Sequence, residues 1–192
     1  MGSASGVTAQ VPAPGSQRYL RTWVEVDLGA LRHNVRTLKQ RAGSNCLLMV
    51  CVKGDGYGHG MIPVAEAAVS AGADRLGVAY VDEGIALRKS GVSLPIHVLL
   101  EPPATCAEEM RTFGLTATLS TTETMRGLAG RLTGRLPVHV EVDAGMGRGL
   151  PPDDVERFLR LLDDCRVFEL EGLFGHLPSA GVPECPELRE ST

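Results

Sequence analysis

Three short segments carry residue types whose spacing could do chemistry. The first is Val52-Lys53-Gly54-Asp55-Gly56-Tyr57-Gly58-His59-Gly60, which follows the apolar run Leu47-Leu48-Met49-Val50-Cys51-Val52. An apolar run of strand length delivers Lys53 to a strand end. A lysine amine in such a setting suits Schiff-base chemistry with a carbonyl. The alternating glycines let the backbone approach a ligand closely and adopt positive φ. Backbone N–H groups at the start of the next helix could hold a phosphate. A flexible turn with a snorkelling lysine would have the same composition. The spacing matches neither the G-x-G-x-x-G of dinucleotide-binding folds nor a P-loop, so nucleotide binding has no specific support.

The second segment is Val140-Glu141-Val142-Asp143-Ala144-Gly145-Met146-Gly147-Arg148-Gly149, another strand-end turn with close glycines, which offers a guanidinium. An ordinary loop with a solvated arginine fits it equally. The third is Glu171-Gly172-Leu173-Phe174-Gly175-His176, where a histidine follows a strand. A lone histidine is commonly structural, but the strand-end position favours a site residue.

The elements that must position these groups repeat one unit. Thr22 to Val26 alternates like a short strand. Asp27 reads as the N-cap of a helix through Leu28, Leu31, Val35 and Leu38 that closes near Gly43. Strands are expected at 47–52, 75–80, 95–100, 115–119, 136–142 and 167–174. Helices are expected at 62–71, 82–90, 104–113, after a Ser120 cap, and at 151–164. The strands are near-continuous apolar runs, which suits a parallel sheet buried on both faces. Strands alternating with helices mean βα units. Six in a row, with no dinucleotide fingerprint, favour an α/β fold of the (β/α)8 TIM-barrel type. A closed barrel needs eight strands and typically about 250 residues, so six units predict an incomplete barrel.

The 192 residues are 43% hydrophobic with a formal net charge of −4, consistent with one domain with a sizeable core. Lys and Arg are scattered, which argues against a nucleic-acid partner. No apolar run is long enough for a membrane span, and residues 1–17 lack the features of a secretory signal. The five cysteines include no C-x-x-C and are expected to be reduced, small apolar residues. The histidines lack metal-ligand spacing, so no metal site is expected. The organisation predicted is a disordered tail over 1–21, a barrel domain over 22–180 and an irregular tail over 181–192.

Taken together, these segments resemble the alanine racemase family of fold-type III enzymes that use pyridoxal 5′-phosphate (PLP). Cys51 to Gly60 is similar to V-V-K-A-D-A-Y-G-H-G. Trp23 to Leu31 is similar to the family's opening W-x-E-I-D-L-x-A-L. Ala71 to Ala79 resembles its second strand. Val142 to Arg148 resembles V-D-T-G-M-G-R, and Glu171-Gly172-Leu173 with His176 resembles E-G-x-x-x-H. The resemblance covers about residues 22–180. It implies a PLP-dependent isomerase of amino-acid metabolism that interconverts L- and D-alanine in D-alanine biosynthesis. It also implies a small amino-acid substrate, a cytoplasmic location and a homodimer. Lys53 would carry PLP as the internal aldimine and act as the base on the D-isomer. Tyr57 would contact the phosphate, Arg148 would lie near the cofactor's phenolic oxygen and the substrate carboxylate, and His176 would pack by the pyridine ring. Many members carry a carbamylated lysine where this chain has Glu141, so Glu141 is expected to pair with Arg148. The family's second base is a tyrosine of the partner subunit's C-terminal β-domain. That domain is absent from this sequence, as is the seventh strand with its arginine. A 192-residue chain is therefore expected to be impaired, with the opening strand left unpaired. The alternatives are a non-catalytic single-barrel PLP-binding protein of the PLP-homeostasis type, and a scaffold derived from a broken barrel.

Overall fold

The computed structural model describes residues 23–178; the two predicted tails, and Thr22 and Cys185 with them, lie outside the described residues. Helix α1 (Leu28–Ala42) starts where the sequence places it, because the Asp27 carboxylate accepts from the N–H groups of Gly29 and Ala30 at 2.8 and 3.0 Å. Six parallel strands follow in sequential order: β1 (Met49–Cys51), β2 (Arg75–Val78), β3 (Ile96–Val98), β4 (Leu115–Leu119), β5 (Leu136–Glu141) and β6 (Phe168–Phe174). A helical turn, α2 (Lys53–Tyr57), and helix α3 (Met61–Ser70) join β1 to β2. Helices α4 (Val81–Lys89), α5 (Ala107–Thr112), α6 (Thr122–Ala129) and α7 (Val155–Asp164) make the later connections.

Several local expectations change. Trp23 to Val26 forms no strand; Val24 stands 84% exposed. The run from Leu47 contributes only three paired residues, since β1 pairs only with β2 among the described residues. Thr121, not Ser120, caps α6, its side chain accepting from Thr124 N. The helices expected from Ala104 and Pro151 open with single 3-10 turns before α5 and α7. Burial on both faces holds for β3 and β4 but not for β1 and β6, which have strand neighbours on one side only.

The sheet is curled. Adjacent strands lie about 4.8 Å apart, so β2 and β6 would stand roughly 19 Å apart in a flat sheet. Instead, Arg75 of β2 donates to Glu171 of β6 at 2.8 Å, and the rings of His97 (β3) and Phe174 (β6) meet at a centroid distance of 5.2 Å. Those contacts are possible only across the concave side of a barrel wall. Alternation along each strand then sorts the residues. Leu76, Val78, Ile96, Val98, Leu115, Leu119, Val138 and Val140 are fully buried on the convex side, under the helices. The concave side holds Arg75, His97, Thr118 and His139. Each buried aliphatic contributes about 1.5–3 kcal/mol, whereas a part-exposed ion pair contributes under about 1 kcal/mol. The convex layer therefore supplies most of the stability, and the concave polar contacts report the curvature.

Those polar groups have defined proton positions. Thr118 Oγ1 donates to Val98 O at 2.8 Å, so it accepts from His97 Nε2 at 2.9 Å. Arg75 Nη1 donates to His139 Nε2 at 3.3 Å. Burial, with help from the neighbouring His139 and Arg75 charges, pushes the His97 pKa down to about 3. An unfolded histidine titrates near 6.5. Between those values the unfolded chain binds the extra proton, so stability falls as pH drops from about 6.5 towards 3, by up to about 1.4 kcal/mol per pH unit. Thermal melts between pH 6.5 and 4.5 should show a shallower acid loss for His97→Leu than for the wild type. Equal slopes would contradict the buried neutral imidazole.

Candidate active site

Each site residue predicted from sequence lies at the C-terminal ends of the strands, the end where barrels of this type hold their chemistry. Lys53 follows β1, Glu141 closes β5, Arg148 lies in the loop after it, and His176 follows β6. Met49 and Cys51 share one face of β1 by alternation, and Lys53 follows after Val52 leaves the extended conformation, with φ −123° and ψ 14°. Met49 and Cys51 crowd Gly77 on the concave side, where a Cβ would stand 3.1 and 3.2 Å from their sulfurs. Lys53 is half-buried and forms no hydrogen bond or ion pair among the described residues.

The backbone after Lys53 is unusual. Gly54, Asp55, Gly56 and Tyr57 all have φ between 53° and 63°, giving one left-handed helical turn. Two glycines make this accessible, but Asp55 and Tyr57 each bear about 1–2 kcal/mol of cost. Strain of this kind persists where the surroundings over-determine it, and it clusters at functional sites. Asp55 recovers part of the cost by accepting from Met61 N at 2.7 Å, capping α3. The expected phosphate-binding helix start thus has its first N–H already taken. Glu83 accepts from Gly54 N at 2.7 Å. Tyr57 stands 62% exposed at the rim.

Glu141 is 2% exposed, so it is not an outward-facing strand residue. It shares a face of β5 with His139 and accepts from Arg148 Nε at 2.7 Å. This is the pair expected from the sequence. The loop between them turns on Asp143, whose Oδ1 accepts from Gly145, Met146 and Gly147 N–H at 2.9 Å each. Burial works against the Asp143 charge, but these N–H groups outweigh it and hold the carboxyl below its usual range. His176 is exposed, which removes the reading of a buried structural histidine.

Sequence reasoning misses the carboxylates that shape these loops, Asp55, Glu83 and Asp143. An acid three residues into a helix signals a cap, which could have found Glu83; its long-range bond has no local signal. Cys46 and Cys51 are free and exposed.

The C-terminal end of this curled parallel sheet thus brings together a lysine with no side-chain partner among the described residues and a carboxylate-held arginine, groups whose chemistry suits a carbonyl compound and an oxyanion. The profile of the alanine racemase N-terminal domain matches residues 26–191. The alanine racemase of Symbiobacterium thermophilum is 48% identical over 172 residues, covering 88% of this chain and 45% of that protein. That of Halothermothrix orenii is 40% identical over 163 residues, covering 83% and 43%. Among solved structures, the Bacillus anthracis alanine racemase with bound L-Ala-P superposes with a TM-score of 0.83 at 34% identity, over 90% of this chain and 46% of that one. The Enterococcus faecalis enzyme gives 0.81 at 32% identity, over 85% and 46%. The chain belongs to the alanine racemase family and corresponds to its N-terminal domain. It spans a little under half the length of these relatives.

Gly149 tests the loop that carries Arg148. Its φ is +106°, and an added Cβ would lie 2.8 Å from Asp143 N and Val142 C, both backbone atoms. Gly149→Ala should cost about 2–4 kcal/mol, read as a lowered midpoint in denaturant. A midpoint like the wild type's would contradict the close approach.

Proposed function

We propose that residues 22–180 form a PLP-binding barrel unit in which Lys53 carries the cofactor, and that the unit serves amino-acid racemisation, interconverting L- and D-alanine. The observation that carries this is Lys53 itself. It follows the C-terminal end of β1, has no ionic partner among the described residues, and lies at the same end of the sheet as the Glu141–Arg148 pair. The donor set fits the group: an uncommitted amine for an aldehyde, a guanidinium for oxygen anions, an imidazole, and a tyrosine at the rim.

PLP, when bound, supplies the electron sink that makes the α-proton of an attached amino acid labile. Lys53 Nζ would hold the group at its aldehyde carbon and, when displaced from that carbon by the substrate amine, would move a proton at the α-carbon from one face. Inversion needs a second base on the opposite face, which the family resemblance assigns to a tyrosine of the partner subunit in a homodimer. Glu141 orients Arg148. Its buried carboxylate holds Nε, which leaves Nη1 and Nη2 for a phenolic or carboxylate oxygen. Tyr57 would hold the cofactor phosphate at the rim, and His176 would pack against the pyridine ring. No described helix is long and apolar enough to cross a membrane, which is compatible with a cytoplasmic enzyme.

The test is the visible spectrum of the purified chain with PLP, beside a Lys53→Ala control. A yellow band that is absent from the control is expected, followed by an assay of alanine racemisation. A band without turnover would favour the PLP-binding role alone. No band in a folded sample would contradict the proposal.

A further inference from the structure

Glu83 near the start of α4 serves two loops at once. Its Oε2 accepts from Ala79 N at 2.7 Å and Tyr80 N at 3.2 Å, an ordinary cap of its own helix. Its Oε1 reaches 29 residues back along the sequence and accepts from Gly54 N at 2.7 Å. Gly54 directly follows Lys53 and opens the left-handed turn, with φ 61° and ψ 45°.

We infer that Glu83 is a positioning residue for Lys53: by holding the Gly54 N–H it fixes the peptide plane after the lysine and keeps the left-handed turn from relaxing. The inference rests on the reading of Lys53 as the PLP lysine. The physical case has three parts. The Gly54 N–H and the Lys53 carbonyl belong to one rigid plane, so holding the N–H sets ψ of Lys53 and with it the direction in which the amine leaves the backbone. Asp55 and Tyr57 would each be lower in energy outside the left-handed region, so the turn needs an outside restraint, and a charge-assisted bond is the stronger kind. Finally, capping α4 accounts for Oε2 alone. The second oxygen ties the end of β1 to the β2–α4 turn, so Lys53 is referenced to the neighbouring strand as well as to its own.

An internal comparison separates this role from simple loop stitching. At the end of β3, Glu101 accepts from the N–H groups of Ser120 and Thr121, clasping the turn after β4 in the same manner. No lysine follows there. Glu101→Ala is therefore the control for loss of a carboxylate clasp without loss of lysine placement.

The experiment compares the 192-residue wild type, Glu83→Ala, Glu83→Gln and Glu101→Ala. Three quantities are read: the thermal midpoint, PLP affinity from the Lys53-dependent visible band, and amide hydrogen exchange at Gly54. Glu83→Ala should weaken PLP binding and speed Gly54 exchange, each by about tenfold or more, the loss expected for a charge-assisted bond. Glu101→Ala should leave both within about twofold of wild type at a similar fall in thermal midpoint. Glu83→Gln keeps the length but turns an amide N–H towards one set of donors, so it should lose about threefold or more in affinity; it carries the test if the alanine variant does not fold. Equal behaviour of the Glu83 and Glu101 variants in both affinity and exchange would overturn the inference. If the wild type forms no band, the PLP reading fails by itself. Gly54 exchange then decides the restraint separately: faster exchange in the Glu83 variants supports it, and unchanged exchange overturns it.

Discussion

The Arg75–Glu171 pair is the contact from which the shape of this domain can be read. It joins the second strand to the sixth across the concave side of the sheet, at 2.8 Å, where a flat sheet would leave the strands far out of reach. Its own stabilisation is small, because both side chains keep contact with water. Its consequence is geometric. With the sheet curled, the odd-numbered residues of β1 to β3 face a shared interior, and Lys53 emerges at that interior's mouth. The Phe174 ring meets His97 edge-on for the same reason.

The division of labour between the two sides of the sheet follows. The convex side is a continuous aliphatic layer under the helices, and there the free energy of folding accumulates. The concave side carries Arg75, His97, Thr118, His139 and Glu171 in a connected polar patch, which is specific and costly to leave unpaired. The site sits above that patch, on loops shaped by carboxylates that accept backbone N–H groups. Asp143 shapes the turn before Arg148, Asp55 caps α3, and Glu83 ties the turn after Lys53 to α4. A lysine and an arginine needed at defined positions are thus held by acids that need not touch a ligand.

Much of this was legible in the sequence. The βα alternation, the Asp27 cap and β4 at its observed boundaries follow from local pattern, because apolar runs and caps are short-range signals. The Glu141–Arg148 pair was expected only through the family resemblance, which puts an anionic group where Glu141 stands; the residues alone fitted a solvated arginine equally well. Other features were not. The apolar runs around Leu47 and Trp23 looked like full strands, yet pairing depends on a neighbour that no local window reports. The left-handed turn at Gly54 to Tyr57 includes two non-glycine residues that single-residue preference argues against. The polar character of the interior was hidden because Arg75, His97 and His139 sit singly inside apolar runs. Only the register Gly77↔His97 and Thr118↔His139 brings them together.

The central claim is that one lysine, placed by the curl of the sheet, is the cofactor's attachment point. The chain has three lysines, and the other two have other engagements. Lys39 is bonded to Asp74 at 2.6 Å, and Lys89 lies over the Phe113 ring. The most direct measurement is borohydride reduction of the PLP-treated chain followed by peptide mass mapping. The account predicts a single phosphopyridoxyl group, on the peptide containing Lys53. A label on Lys39 or Lys89, or one spread over all three, would contradict it.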